Sequence, residues 1–279
     1  MSHPAAAVAV AIFLWWFSTG AVFVMARRGA NHEWRMAFVA TLAGVLALVG
    51  LYVSARMPGV GGAYLAFGSA LMLWAWHEIM FLLGFIAGPR RFSATKGLSG
   101  TARFSEAFAT VRDHELAIAG TVPLVILLTA GGGNATGLWT FAVLWVMRVS
   151  AKLCIHLGAR HSLSAMMPAR QAYLATYFRT DRTTLLLPVV IVGASCVFAW
   201  LCSLVATATP PHSIGLVLVA TLLALAILEH IFLLLPVPDS ILWLWAAPKP
   251  TETDNQITRG PASDRTGPKT VKRGGVSWT

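Results

Sequence analysis

The sequence predicts an all-α, polytopic membrane protein with about seven transmembrane helices. Hydrophobic residues make up 57% of the 279 residues and charged residues only 11%, whereas a typical soluble domain carries about 25% charged residues. The apolar residues are gathered into runs of about 20, which is the length a helix needs to cross hydrocarbon. These runs are continuously apolar rather than alternating, and this pattern favours helices over membrane strands.

Seven runs are interpreted as spans. They cover residues 5–26, 36–54, 63–87, 114–131, 138–158, 184–207 and 214–236. The first run follows MSHP and ends in Arg27 and Arg28, so it lacks the basic start and the cleavage site of a signal peptide and is expected to stay in the membrane. The fourth run is the shortest, contains Pro123, and is expected to carry His114 and Glu115 in its first turn.

Lysine and arginine fall almost entirely on one side of the predicted spans. Eighteen of them lie in the loops after the first, third and fifth spans and in the tail, whereas the opposite loops and the N-terminus contain only Arg56. The positive-inside rule therefore places the N-terminus outside and the C-terminus in the cytoplasm. The same distribution explains the net charge of +10 without nucleic acid, because no aromatic residues are interleaved with the basic ones.

The domain prediction is one transmembrane helical domain, 1–248, followed by a polar cytoplasmic tail, 249–279. The tail is rich in Pro, Gly and Thr and is expected to be disordered. Just before it, Trp243 and Trp245 are expected at a membrane interface. The predicted location is a bacterial inner membrane, either cytoplasmic or intracytoplasmic.

Ionisable residues inside the spans give the main functional signal. The doublets His77-Glu78 and His114-Glu115 and the reversed pair Glu229-His230 lie in three spans, and Arg148 and Lys152 lie four residues apart on one face of another. A charge at such a depth costs a few kcal/mol unless it is paired or lines a polar cavity. All of these residues are predicted at one depth, so we expect four helices to enclose a polar chamber open to the cytoplasm. The candidate working site comprises Trp76, His77, Glu78, His114, Glu115, Arg148, Lys152, Glu229 and His230.

The residues leave three interpretations of this chamber open. One is a structural charge network in which Arg148 and Lys152 neutralise the carboxylates. Another is an iron or zinc site with His77, Glu78, His114, Glu115, Glu229 and His230 as candidate ligands, although neighbouring residues on a helix point about 100° apart and the Glu-x-x-His spacing of di-iron bundles is missing. The third is contact with a tetrapyrrole, with a histidine as axial ligand to magnesium or haem iron and Trp76 beside the ring.

Several words in the sequence resemble a known family. They are WWFSTG at 15–20, AFGSALMLWAWHEIMFLLGFIAGPRR at 66–91, HELAI at 114–118, LWTFAVLWVMRVSAKL at 138–153, YLATYFR at 173–179 and LEHIFLLLPVPDSILWLWA at 228–246. Together they resemble the PuhE-type photosynthetic complex assembly proteins of purple phototrophic bacteria. The resemblance implies a polytopic membrane protein needed for normal levels of reaction centre or pigment, and it implies no reaction.

The combined prediction is an integral membrane factor for assembly or pigment supply of the photosynthetic reaction centre–light-harvesting complex. Its expected partners are reaction-centre or light-harvesting subunits and other assembly factors. The candidate cofactors are bacteriochlorophyll or another tetrapyrrole, or iron or zinc. In this hypothesis Arg148 and Lys152 pair with the carboxylates or bind a propionate, and Arg90 and Arg91 contact lipid headgroups. The alternative is a metal-dependent membrane enzyme that modifies a tetrapyrrole or a carotenoid in the same chamber.

Overall fold

The computed structural model describes residues 3–161 and 169–235 together with Trp243 and Trp245. Every regular element in that part of the chain is helical, which confirms the predicted all-α class. The elements are α1 (Pro4–Ala55), α2 (Val60–Leu82), α3 (Gly100–Thr129), α4 (Thr136–Gly158), a 3₁₀ helix (Ala169–Tyr177), α5 (Leu186–Thr207) and α6 (Pro210–Phe232). Six segments among the described residues are long and apolar enough to cross a membrane: the two halves of α1, and α2, α4, α5 and α6.

The first helix contains two of the predicted spans. It is 52 residues long, but His32 has non-helical angles, φ −143° and ψ 42°. On either side of this bend, Pro4–Arg28 and His32–Ala55 are each able to span. The first half runs in the same direction as α2, because Ala7 shares a cluster with Phe67 and Ala26 shares one with Leu82.

The second half of α1 runs in the opposite direction and lies very close to α2. A Cβ at Gly50 would be 2.2 Å from Ser69 Oγ, and a Cβ at Gly44 would be 3.0 Å from the Trp76 ring. Along the second half of α1, residues with higher numbers therefore contact residues of α2 with lower numbers, as in an antiparallel pair of helices. Small residues of this kind allow helix backbones to approach within a membrane. The bend at His32 thus reverses the chain and makes α1 a helical hairpin.

The third helix departs most from the prediction. It begins at Gly100 rather than near His114, so His114 lies 14 residues into the helix (114 − 100) and not in the first turn. The added stretch, 100–113, mixes polar and apolar residues, and its partly or fully buried members Glu106, Ala107 and Thr110 continue the helix face of His114, which explains why it does not remain a loop.

The same helix nevertheless passes along the whole bundle. Gly88 N, just beyond the end of α2, donates to Thr110 O at 2.9 Å, and Asn134 N, just beyond the end of α3, donates to Ala55 O at 3.3 Å. The stretch between those two levels runs antiparallel to α2. This part of α3 is the natural candidate for the seventh membrane span. The count of seven spans and the orientation in the membrane stay predictions.

The C-terminal end of α2 is closed by three side chains, two from the 3₁₀ helix and one from the segment that follows α2. Gln171 Nε2 donates to Phe81 O at 2.8 Å, Arg170 Nη1 donates to Leu83 O, and Arg91 Nη2 donates to Gly84 O at 2.9 Å. These bonds satisfy carbonyls that a helix end leaves without partners, and the guanidinium groups complement the negative end of the helix dipole. The last turn of α2, next to His77 and Glu78, is therefore held in place.

The described residues all belong to one compact unit, Met1–Ala247. The predicted tail lies outside the described residues, and its separation from the bundle stays a prediction. Trp243 Nε1 donates to Trp16 O at 3.1 Å, and a Cβ at Gly20 would lie only 1.9 Å from the Trp245 ring. The two tryptophans are thus seated at the depth of the middle of the first half of α1, rather than at its end as expected for an interfacial pair.

Candidate functional site in a buried polar layer

Helix α4 directs three polar side chains towards three different helices. Arg148 meets α2, Ser150 meets α6 and Lys152 meets α3. We call the residues at this level the polar layer. It consists of His77 and Glu78 on α2, His114, Glu115 and Thr121 on α3, Arg148, Ser150 and Lys152 on α4, and Glu229 and His230 on α6. The predicted convergence of four helices is therefore present.

The contact between α4 and α2 is an ion pair. Arg148 Nη2 lies 3.2 Å from Glu78 Oε2, and Glu229 is also close enough to interact electrostatically with Arg148. The carboxylate side chain is only 10% exposed, whereas that of the arginine is 45% exposed. The guanidinium group thus pairs with a carboxylate that is nearly buried.

The contact between α4 and α3 is a second ion pair. Lys152 Nζ lies 2.5 Å from Glu115 Oε1, and the lysine side chain is 27% exposed. The same ammonium group lies 5.8 Å from the centroid of the Phe81 ring. Each cation of α4 therefore has a carboxylate partner on a neighbouring helix. Both cations are thus paired with carboxylates of the protein. The geometry therefore favours the first of the two predicted roles, pairing with Glu78 and Glu115, over the second, binding of a propionate.

The contact between α4 and α6 is a neutral hydrogen-bond chain. His230 Nδ1 lies 2.8 Å from Ala226 O and must donate to it, because a carbonyl oxygen only accepts. The other ring nitrogen, Nε2, lies 2.9 Å from Ser150 Oγ. Because Nδ1 carries the hydrogen of the neutral ring, Nε2 accepts, and the single hydroxyl hydrogen of Ser150 goes to it rather than to Met147 O, which lies 2.8 Å from the hydroxyl. Both nitrogens of this fully buried imidazole thus have partners.

A second histidine has its tautomer fixed by a threonine. His77 Nε2 lies 3.0 Å from Thr121 Oγ1, and the threonine hydroxyl donates to Ala117 O at 2.9 Å. The single hydroxyl hydrogen is thereby used, so Nε2 carries the hydrogen of the bond between the two side chains. In the neutral ring Nδ1 then holds the lone pair, and this buried atom has no partner among the described residues.

The third histidine of the layer has no hydrogen bond at all within the described part of the chain. His114 is fully buried, and both of its ring nitrogens lack partners. Its nearest polar contact is Glu78 Oε1, which lies 3.9 Å from Nε2, beyond hydrogen-bond distance. The Phe81 ring packs on it with the centroids 4.6 Å apart. His114 itself is therefore enclosed by the bundle, and the chamber opening towards the cytoplasm stays a prediction.

The geometry gives no support to the metal hypothesis. Among residues 3–161 and 169–235, no group of three or more His, Cys, Asp or Glu side chains is placed to hold a metal ion. Glu78 and Glu115 are paired with cations, and His77 and His230 are held by hydrogen bonds. Ligation by iron, zinc or a pigment magnesium stays a prediction.

Trp76 lies at the edge of the layer and faces away from it. Its ring contacts that of His77 with the centroids 4.6 Å apart. The indole Nε1 donates to Thr41 Oγ1 on α1 at 3.3 Å. The residue therefore joins α2 to the second half of α1, and the structure does not aim it at the centre of the layer.

The two arginines expected at lipid headgroups bind the protein itself. Arg91 caps α2, as described above. Arg90 Nε donates to Tyr177 Oη at 2.8 Å, and its Nη2 lies 2.6 Å from Glu106 Oε1. Thr95 donates to Glu106 through both its hydroxyl and its backbone N–H, and these hydrogen bonds hold the pKa of the Glu106 carboxyl below its usual value. The headgroup role stays a prediction.

Comparisons with known proteins give matches that cover nearly the whole chain. Residues 1–254 match the model of the family described as Protein of unknown function (DUF3623). The chain belongs to that family. It is 39% identical over 262 residues to a Rhodobacter capsulatus protein named "Uncharacterized 30.4 kDa protein in puhA 5'region", and the match covers 91% of this chain and 95% of the relative. No solved structure matches.

Sequence reasoning missed two members of the polar layer in this DUF3623 protein, Ser150 and Thr121, and one residue a helix turn before Arg148, Trp145. Ser150 lies midway between the two cations of α4, where a polar residue in an apolar run is itself a signal. Thr121 follows His114 by seven residues and so shares its helix face. Trp145 precedes Arg148 by three residues, and its buried Nε1 has no partner within the described residues. Helix periodicity could have identified all three.

Proposed function

We propose that this protein is an inner-membrane factor that supports assembly of, or pigment supply to, the photosynthetic reaction centre–light-harvesting complex. The observation that carries the proposal is the relative in Rhodobacter capsulatus, whose name places it in the puhA 5' region and so suggests a photosynthesis-related role. The PuhE-type resemblance of the sequence words points in the same direction. The apolar helices support a multi-pass membrane protein.

The polar layer is the proposed working site. Its two ion pairs connect α4 to α2 and α3, and the side chains of both cations, Arg148 and Lys152, are partly exposed. A site of this kind suits contact with a membrane-embedded partner or pigment more than chemistry in water, because its carboxylates are occupied by cations. The proposed partners are reaction-centre or light-harvesting subunits, other assembly factors, and bacteriochlorophyll or another tetrapyrrole.

The test is a strain of the source organism that lacks the gene, examined by its absorption spectrum and a pigment extract. We expect mature pigment in reduced amount and fewer assembled complexes. Accumulation of a specific bacteriochlorophyll or carotenoid precursor would instead make the protein an enzyme of that step. An unchanged spectrum would remove the proposal.

Complementation then tests the polar layer itself. Glu78→Gln should accumulate in the membrane and fail to restore the spectrum. Glu33→Gln is the matched control, because Glu33 pairs with Arg170 at the exposed end of the bundle and outside the layer. Full complementation by Glu78→Gln would exclude a functional role for this carboxylate.

A further inference from the structure

Three arginines gather around the C-terminal end of α4. Arg103 Nη1, near the start of α3, donates to His156 O at 3.0 Å, and Arg182 Nε donates to Leu157 O at 3.1 Å. Burial lowers the pKa of the Arg103 guanidinium, and the positive charges of Arg179 and Arg182 lower it further. The three side chains, which we call the arginine group, therefore lie within electrostatic range of one another.

The arginine group carries more positive charge than the residues around it neutralise. Five other cations among the described residues have a carboxylate oxygen within 3.2 Å; they are Arg90, Arg112, Arg148, Lys152 and Arg170. In the arginine group, only Arg179 has a carboxylate of the described chain at ion-pair distance, and its Nε lies 4.0 Å from Asp181 Oδ1. Three positive charges and one negative charge leave a local surplus of two.

Capping of α4 accounts for only part of this positive charge. The carbonyl end of a helix is equivalent to about half a negative charge, which is less than the surplus of two. The carbonyls at this end also have backbone partners, since Thr184 N donates to Gly158 O at 2.9 Å and Arg179 N donates to Ile155 O at 3.1 Å. Both Nη groups of the exposed Arg182 have no partner among the described residues, so they are available to an anion.

The arginine group adjoins the exposed apolar side of α4. Trp139, Val146 and Leu157 are 58%, 61% and 38% exposed, and their spacings of two and three helical turns place them on one face. From Trp139 to Leu157 this row is about 27 Å long at about 1.5 Å per residue, close to the thickness of about 30 Å of the hydrocarbon core. Because Arg182 donates to the carbonyl of Leu157, at one end of the row, the arginine group lies at the level of lipid headgroups.

We propose that the arginine group binds the phosphate of an anionic membrane lipid whose acyl chains lie along the row of Trp139, Val146 and Leu157. Guanidinium groups suit a phosphate because their planar fork makes parallel, charge-assisted hydrogen bonds to its oxygens. An anionic lipid also lowers the surplus of positive charge at the end of α4, whereas a zwitterionic lipid adds no net charge. The site lies outside the polar layer, so the inference goes beyond the proposed function and does not depend on it.

The experiment measures lipid binding to the purified full-length protein in neutral detergent micelles by native mass spectrometry. The protein is titrated with dioleoylphosphatidylglycerol, which is anionic, and with dioleoylphosphatidylcholine, which has the same acyl chains and no net charge. We expect the Kd of the anionic lipid to be about tenfold lower, the effect of one additional charge-assisted contact. Inorganic phosphate at the same concentration should not displace the anionic lipid, because it lacks the acyl chains.

Two double variants with equal loss of charge locate the site. Arg179→Gln/Arg182→Gln removes two charges from the arginine group and leaves Arg103 with its hydrogen bonds. It should weaken binding of the anionic lipid about tenfold and leave binding of the neutral lipid unchanged. The control, Lys96→Gln/Arg112→Gln, removes two charges from exposed residues outside the group and should change either Kd less than about twofold, because exposed charges at a distance are screened. If the first double variant does not accumulate, Arg182→Gln alone decides.

Four results would overturn the inference. They are equal Kd values for the two lipids, an unchanged Kd of the anionic lipid in Arg179→Gln/Arg182→Gln, an equal weakening in the control variant, and displacement of the anionic lipid by inorganic phosphate. The last result would assign the arginine group to a soluble phosphate instead of a lipid. The deletion phenotype is independent of these measurements, so the lipid site and the proposed function can fail separately.

Discussion

Two histidines on the helices that flank α4 are equally buried but differ in their hydrogen bonds. On the α6 side, His230 is 1% exposed and uses both ring nitrogens, one with Ala226 O and one with Ser150. On the α3 side, His114 is 0% exposed and uses neither. The first arrangement is what packing alone would select, because a buried polar group is normally satisfied. The second lowers stability, and such a cost is typically retained where function requires it.

The largest expected effect concerns the ion pair between α4 and α2, whose carboxylate also lies nearest to His114. Arg148→Met leaves the Glu78 carboxylate nearly buried without its partner. We expect a loss of about 2 kcal/mol in the free energy of unfolding, which is less than for a fully buried pair because the arginine is half exposed. Unfolding of the purified protein in mixed micelles measures it. Adding Glu78→Gln should recover most of the loss, and a double-mutant cycle without coupling would show that the pair does not form.

The next effect is on the α6 side. His230→Leu removes two hydrogen bonds from a satisfied network and leaves Ala226 O without its side-chain partner. We expect a loss of about 1–2 kcal/mol in the same assay. Ser150 retains Met147 O as an acceptor at 2.8 Å, which limits the cost. A neutral or stabilising outcome would remove the contrast between the two histidines.

The matching change at His114 should have the opposite sign. His114→Leu replaces an unpartnered buried imidazole by an apolar side chain of similar volume and different shape, so the relieved desolvation offsets the poorer fit. We expect between no change and a gain of about 1 kcal/mol in unfolding free energy. Loss of complementation in the deletion strain should accompany it. A loss as large as that of His230→Leu would mean that His114 has a structural partner.

The smallest effect concerns the network around Glu106, which lies outside the polar layer. Thr95 lowers the pKa of the Glu106 carboxyl in the folded protein, so this group contributes stability above the pKa it has when unfolded, and the contribution disappears as the pH falls through the folded value. Unfolding should therefore become easier below about pH 4.5, the ordinary glutamate value. Glu106→Gln should flatten this dependence, measured as the unfolding midpoint against pH. If the pH profile of the unfolding midpoint is unchanged in Glu106→Gln, the acid sensitivity comes from a group other than Glu106.

Much of the fold follows from the sequence because length and hydropathy are strong constraints in a membrane. Six predicted spans coincide with helices, and the three His/Glu doublets converge at the level of Arg148 and Lys152, as helix registers and alternating directions require. The predicted start of α3, near His114, was wrong because residues 100–113 are polar enough to resemble a loop, although they continue the helix. Hydropathy cannot distinguish an amphipathic extension from a connector.

The bonding state of each histidine could not be predicted. His114 and His230 stand in nearly identical sequence settings beside a glutamate. Whether an imidazole nitrogen lies 2.9 Å from a hydroxyl, as in His230, or 3.9 Å from a carboxylate, as in His114, depends on how two helices pack. Helix packing fixes such distances through all the side chains between the helices, and no local pattern contains them.

The position of the cations on α4 has a consequence for how the protein is made. Ribosomes deliver a chain from its N-terminus, so Glu78 on α2 and Glu115 on α3 emerge before Arg148 and Lys152 are synthesised. Until α4 arrives, both carboxylates lack the partners they have in the finished bundle. Insertion of α4 therefore neutralises both earlier helices at once and sets their register, which makes this helix the step at which an assembling chain becomes committed to the membrane.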